Sequence, residues 1–102
     1  MPRDRLYLLN HEFEDADLPG RAFYCKDCIT LDALLAAFPD RASNLEVIRV
    51  AHPRPRAELV ELLGEPNQNL PSLLFAEGGF VNEIEGLLKA LQTRHGFPER
   101  HP

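Results

Sequence analysis

Two cysteines, Cys25 and Cys28, stand three positions apart in the stretch FYCKDC of this 102-residue chain. Two thiols at this spacing at the head of a helix lie on one side of its first turn, where their sulfurs can join in a disulfide. Free backbone N–H groups and the helix dipole stabilise a thiolate there. The spacing therefore predicts a dithiol in which Cys25 attacks and Cys28, one turn further on, resolves the mixed disulfide.

A metal site is the competing interpretation of the same pair, because CxxC is a common half-site for zinc. Zinc would need two further ligands, and the chain holds four histidines, which show no close ligand spacing: His11, His52, His95 and His101. We therefore predict no metal site within one chain. A site that two chains share through their cysteines stays as an alternative.

Composition and charge limit the partners of the chain. The 44% of hydrophobic and 26% of charged residues are typical of a globular protein, and the length predicts a single domain, residues 1–102. A net charge of −5 argues against nucleic acid as a partner, because phosphate binding requires a concentrated positive surface. No apolar run predicts a membrane span or a signal peptide, so we expect a cytoplasmic protein, where a cysteine pair is reduced, catalytic or metal-bound.

Hydrophobic periodicity predicts the elements that position the cysteines. Short apolar runs predict strands at 5–10, 45–50, after Pro71 and at 80–82. Apolar residues at helical spacing predict helices at 26–38, from Pro55 to Gly64, and from Asn82 as N-cap to Gly96. The order β-α-β-α-β-β-α predicts an α/β fold with a mixed four-stranded sheet, a parallel pair in it, and helices on both faces.

The segment before the cysteines, residues 11–24, shows no periodicity and is predicted to be a long irregular loop. It carries three aromatic residues, Phe13, Phe23 and Tyr24. These residues predict either a substrate groove or packing of the loop onto the core.

Three segments taken together resemble the thioredoxin-fold superfamily, to which thioredoxins and glutaredoxins belong. They are the strand followed by CxxC, the stretch NLPSLLFAEGGFV and the stretch VNEIEGLLKAL. The resemblance implies a thiol–disulfide oxidoreductase with Cys25 as nucleophile and Cys28 as resolving thiol. It also implies that Pro71 is a cis-proline, which leaves a free backbone edge for a substrate. The Phe-Tyr-Cys and Asn-Gln-x-Leu-Pro segments are similar to those of an uncharacterised bacterial family of thioredoxin-like proteins.

The resemblance further implies which residues contact a substrate: Tyr24, Lys26, Leu70, Pro71, Asn82 and Glu83. Glutaredoxins hold the γ-glutamyl end of glutathione with acidic residues near the positions that correspond to Asn82 and Glu83. Plain capping of the last helix is the alternative for these two residues. The expected partner is a protein disulfide or a glutathione mixed disulfide, with glutathione as a co-substrate and no bound cofactor.

Three basic residues are predicted to tune the thiols. Arg49 falls where thioredoxins often carry a lysine near the site, and His52 and Arg54 follow the same strand. A solvated loop held by its prolines is the alternative for the latter two. The predicted first strand, residues 5–10, holds no acid that could accept the proton of Cys28.

Two other functions stay open at this point. A non-catalytic binding or adaptor module could keep the same fold and groove, because a fold does not guarantee its chemistry. A metal-binding dimer would use the cysteines as shared ligands. In the redox interpretation we expect a monomer or a weak homodimer.

Overall fold

The computed structural model describes residues 3–102, so the first two residues of the predicted domain lie outside the described part. Its strands are β1 (Asp4–Leu9), β2 (Phe13–Glu14), β3 (Ala22–Phe23), β4 (Leu45–Val50), β5 (Ser72–Leu74) and β6 (Phe80–Val81). Its helices are α1 (Lys26–Ala37), α2 (Pro39–Ala42), α3 (Ala57–Leu63) and α4 (Ile84–His95). None of these helices is both long enough and apolar enough to cross a membrane.

The main sheet contains four strands in the order β4-β1-β5-β6. Strand β1 pairs in parallel with β4 and antiparallel with β5, and β5 pairs antiparallel with β6. The predicted α/β fold with a mixed four-stranded sheet is therefore confirmed, including the parallel pairing of the two long strands.

The core lies on both faces of β1, because successive side chains of a strand point to opposite sides. Leu6 and Leu8 belong to one cluster of buried residues, which also holds the buried residues of α1 and α4: Cys28, Leu31, Leu87 and Leu91. Tyr7 belongs to a second cluster with Leu59 of α3. Helices α1 and α4 thus pack on one face of the sheet and α3 on the other.

Two short elements differ from the prediction. The segment 11–24 was expected to be irregular, but β2 and β3 form a two-stranded ribbon in which Phe13 pairs with Phe23. Pro39 was expected only to end the first helix, but α2 begins at this residue. Proline suits a first helical position, because the N–H it lacks would have no partner there.

The starts of two helices also correct the prediction. Glu83, and not Asn82, is the N-cap of α4, since its carboxylate accepts hydrogen bonds from the N–H groups of Glu85 and Gly86, both at 3.0 Å. Pro55 was expected in the first turn of its helix, but α3 begins at Ala57. The predicted ends at Gly64 and Gly96 are confirmed, because both glycines are C-cap residues.

Candidate dithiol site

Cys25 is the N-cap residue of α1, with an extended backbone at φ −85° and ψ 120°. Its Sγ atom accepts a hydrogen bond from the backbone N–H of Cys28 at 3.2 Å, and its carbonyl accepts one from Ile29 at 2.9 Å. The first N–H groups of a helix have no partner within the helix, so a sulfur at this position can satisfy one of them. The predicted position of Cys25 at the start of a helix is confirmed.

Cys28 lies within the first turn of α1, and only 2% of its surface is exposed. Burial raises the pKa of Cys28 to about 12; the backbone of Leu9 acts in the opposite direction, while Cys25 and Asp32 raise the pKa further. Cys28 therefore keeps its proton at neutral pH. Both cysteines are free thiols, and the hydrogen bond between them runs from the backbone N–H of Cys28 to the Sγ atom of Cys25.

Strand pairing brings the start of β5 to the same end of the sheet as the cysteines. Cys28 belongs to the same buried cluster as Leu9, at the carboxyl end of β1. Because β5 runs antiparallel to β1, it begins near the end of β1. The Leu70–Pro71 peptide bond just before β5 is cis, as the resemblance implied, and Leu70 packs against the same core cluster as Cys25.

The corner between β6 and α4 lies at this end of the sheet too. Val81 pairs with Leu73, so the next residue, Asn82, falls beside the start of β5. The carboxylate of Glu83 is occupied by the two N–H groups that it caps. The structure thus places Asn82 next to the predicted substrate edge, while the contacts of Glu83 are those of a helix cap.

Asp32 is an acid near the dithiol that sequence reasoning missed. Its carboxylate accepts a hydrogen bond from Nη1 of Arg49 at 3.1 Å, and it lies 3.4 Å from Nε2 of His11. Burial alone would raise the pKa of Asp32, but Arg49 and then His11 hold it below its ordinary value. Asp32 follows Cys28 by four residues, and this helical spacing is the signal that could have identified it.

The first strand does contain a buried acid, contrary to the expectation. Strand β1 begins one residue earlier than predicted, at Asp4, whose side chain contacts Arg94 and His95. Asp4 lies at the amino end of β1, whereas the cysteines lie at its carboxyl end. This acid is therefore too distant along the strand to take a proton from Cys28.

The loop between β4 and α3 packs against the ribbon. The ring of His52 stacks on Phe13, with centroids 4.5 Å apart and planes 6° apart. Phe13 in turn packs against the core cluster that contains Cys28, as Cys25 does. His52 is therefore connected to the dithiol site by its contact with Phe13, whereas the side chain of Arg54 is exposed to solvent.

Two predicted substrate contacts frame the exposed side of Cys25. Tyr24 directly precedes it and is 67% exposed. Lys26 directly follows it, and its exposed Nζ lies 3.9 Å from the carboxylate of Asp27. Of the three aromatic residues before the helix, Phe13 packs inward and Tyr24 faces solvent.

Arg56 is a buried cation that was not among the residues predicted to tune the thiols. Its Nε and Nη2 donate to the carbonyl of His52 at 3.1 and 2.8 Å, and its Nη1 donates to the carbonyl of Gln68 at 2.7 Å. Among residues 3–102, no Asp or Glu forms an ion pair with it. Burial, followed by the charge of Arg54, lowers the pKa of Arg56.

The zinc alternative requires further ligands near the cysteines. Within the described range, no group of three or more His, Cys, Asp or Glu side chains is arranged to hold a metal ion. Two of the histidines have carboxylate partners instead, since His11 lies against Asp32 and His95 against Asp4.

Comparison with known proteins gives a family but no activity. The family described as "Protein of unknown function (DUF3088)" matches residues 3–99, so the chain belongs to this family. No curated protein and no solved structure matches the chain. A function must therefore be argued from the dithiol and its surroundings.

Proposed function

We propose that this member of the DUF3088 family is a thiol–disulfide oxidoreductase with a thioredoxin-like fold and the reactive couple Cys25–Cys28. The observation that carries the proposal is the N-cap position of Cys25, whose sulfur accepts the N–H of Cys28 at 3.2 Å. The order of the main elements supports the fold. Apart from the ribbon and α2, it is β-α-β-α-β-β-α, with a mixed four-stranded sheet.

The exposure of the two thiols supports the order of the chemical steps. Cys25 is partly exposed, so it can reach a substrate, whereas Cys28 is buried and carries its proton. The thiolate of Cys25 attacks one sulfur of a substrate disulfide, and an S–S bond forms between them. The other substrate sulfur leaves as a thiolate and takes up a proton.

In the second step Cys28 gives its proton to water and attacks the sulfur of Cys25. The bond between Cys25 and the substrate breaks, and the second substrate thiol is released. Two electrons have then passed from the dithiol to the substrate, and the protein holds a Cys25–Cys28 disulfide. A small thiol such as glutathione returns the protein to the dithiol by the reverse exchange.

The surroundings of Cys25 suit a disulfide substrate with an extended backbone. Exposed Tyr24 and Lys26 flank it, and the start of β5 with Pro71 and the neighbouring Asn82 lies at the same end of the sheet. A protein disulfide or a glutathione mixed disulfide is therefore the substrate class that we propose. Backbone groups at such an edge can pair with an extended chain.

Equilibration of the protein in glutathione buffers of defined ratio tests the proposal. Wild type should pass from two free thiols to an internal disulfide, seen by mass and thiol count. Cys28→Ser should stop at a glutathione mixed disulfide on Cys25, because the resolving thiol is gone. Cys25→Ser is the matched control and should stay unmodified, since Cys28 is buried. A wild-type protein that never forms the internal disulfide at any buffer ratio would exclude the proposal.

A binding module without turnover is the second candidate, and the exposed ring of Tyr24 beside the site favours it. Such a module would hold a peptide or protein through the groove and leave the thiols unused. Partner affinity that is equal in wild type and in the Cys25→Ser/Cys28→Ser double variant would support this function. A loss of binding in the double variant would exclude it.

A further inference from the structure

We propose that Arg56 is the buried positive charge that sets the reactivity of the Cys25–Cys28 couple. It would be a positioning residue that acts through the thiols, and this role rests on the proposed redox function. The resemblance assigns it no role. The support comes from its burial, its partners and the segments to which it is bound.

The guanidinium of Arg56 has been removed from water without receiving an anion. Only 7% of the residue is exposed, and its side-chain hydrogen bonds go to the carbonyl oxygens of His52 and Gln68. Among the described residues it forms no ion pair with a carboxylate. A buried charge without a counter-ion is costly, so a nearby group that can become negative is favoured in its charged form.

The two carbonyls that hold Arg56 belong to the segments that lead to the dithiol. His52 stacks on Phe13, and Gln68 stands two residues before Leu70. Phe13 and Leu70 pack, together with Cys25, against the core cluster that includes Cys28. The positive charge is thus held between the loop that follows β4 and the segment that precedes β5.

Electrostatic coupling agrees with this position. Negative charge on Cys28 and on Cys25 raises the pKa of Arg56, against the effects of burial and of Arg54. Arg49, the other arginine near the site, is already paired with the carboxylate of Asp32. Because no carboxylate among residues 3–102 pairs with Arg56, a thiolate of the couple is the anion that we assign to it.

The charged and titratable groups around the couple come from every neighbouring element. Helix α1 contributes Lys26, Asp27 and Asp32, strand β4 contributes Arg49, and the adjoining loops contribute His11, His52, Arg54 and Arg56. Three contacts within this set join a basic to an acidic side chain: His11–Asp32, Arg49–Asp32 and Lys26–Asp27. Arg56 is the buried member of the set that has no such partner.

A charge that stabilises a thiolate stabilises the reduced form of the couple. The dithiol should then react faster at mildly acidic pH, and its disulfide should be reduced more readily. Replacing Arg56 with a neutral side chain should reverse both properties.

The variants Arg56→Met and Gln68→Leu separate charge from loop structure. Gln68→Leu removes the acceptor of the Arg56 backbone N–H, at 2.7 Å, and leaves the guanidinium charge in place. We expect alkylation of Cys25 at mildly acidic pH to be about tenfold slower in Arg56→Met. We also expect the Arg56→Met couple to stay oxidised at a lower ratio of glutathione disulfide to reduced glutathione. Gln68→Leu should stay close to wild type in both the alkylation rate and this ratio. An unchanged Arg56→Met protein, or equal slowing in both variants, would overturn the proposal.

A measurement on the wild type keeps the test valid if Arg56→Met does not fold. The Nε–H resonance of Arg56 in the reduced protein should shift with pH at the same midpoint as the alkylation rate. A resonance that does not move through this range would refute the role of Arg56. Failure of the redox function would appear separately, as a wild-type protein that forms no internal disulfide.

Discussion

At the scale of single residues, the two cysteines show how position along one helix separates two identical side chains. Cys25 at the N-cap of α1 is partly exposed and accepts a backbone N–H, whereas Cys28 is buried against β1. The negative charge of Asp32 also raises the pKa of the buried thiol, and Arg49 and His11 keep Asp32 charged although burial acts to raise its own pKa. The charge of Asp32 thus helps to keep the proton on Cys28.

Asp32→Asn should lower the pKa of Cys28 from its value of about 12. The substitution removes a negative charge and frees the charge of Arg49, and both changes favour the thiolate. Thiolate absorbance against pH, recorded in a Cys25→Ser background, isolates this one group. Asp27→Asn is the matched control on the same helix and should leave the curve in place. Superimposable curves for Asp32→Asn and its parent would show that Asp32 does not act on Cys28.

The residues that sequence analysis found and missed differ in one respect. The CxxC pair is local, and the apolar spacing that follows it predicted a helix from Lys26, which placed both thiols at the start of that helix. Arg56 has no such pattern, because its partners are carbonyl oxygens that any residue type provides. Its burial became visible only when the loop after β4 and the loop before β5 were placed side by side.

At the scale of elements, the start of α4 depends on one carboxylate. Glu83 satisfies two of the N–H groups that a helix leaves without partners, those of Glu85 and Gly86. Glu83→Ala should therefore lower the free energy of unfolding by about 1 kcal/mol. Urea denaturation measures this loss. Asn82→Ala is the control, and an equal loss in both variants would contradict the assignment of Glu83 as the cap.

The sequence predicted the main elements well because their apolar spacing is regular over many residues. The sequence pointed to Asn82 as N-cap because Asn is a preferred capping residue, but Glu83, which directly precedes Ile84, takes that position. The ribbon escaped prediction for another reason. Strands of two residues carry no alternation, and β2 and β3 owe their pairing to Phe13 and Phe23, which are ten positions apart.

At the scale of the whole molecule, one carboxylate joins distant parts of the chain. Asp4 at the start of β1 accepts hydrogen bonds from Arg94 of α4 and from the N–H of Ala76 in the hairpin loop, and it lies 2.7 Å from Nε2 of His95. Arg94 also binds Glu77 of the same loop. The network connects the amino end of the sheet to the last helix, over separations that no local pattern could predict.

The pH dependence of stability should reveal this network. Arg94, despite opposition from burial, holds the pKa of Asp4 well below its ordinary value of 3.8. A group with a lowered pKa in the folded state stabilises the protein above its unfolded pKa, and this contribution is lost as the pH falls through the folded value. Asp4→Asn should therefore cost on the order of 2 kcal/mol at neutral pH, and the difference from wild type should shrink below about pH 4.

Urea unfolding of wild type and Asp4→Asn from neutral to acidic pH measures both quantities. Glu85→Gln is a suitable control, because Glu85 and its partner Arg100 are 66% and 71% exposed. An exposed pair contributes about 0–1 kcal/mol, so its removal should leave the pH profile nearly unchanged. If Asp4→Asn lost the same small amount at every pH, the buried carboxylate would not be the charge that couples the sheet to α4. A loss of stability that appears only at neutral pH would instead identify Asp4 as that charge. Acid protonates Asp4 in the wild type, so wild type and Asp4→Asn then lack the same negative charge.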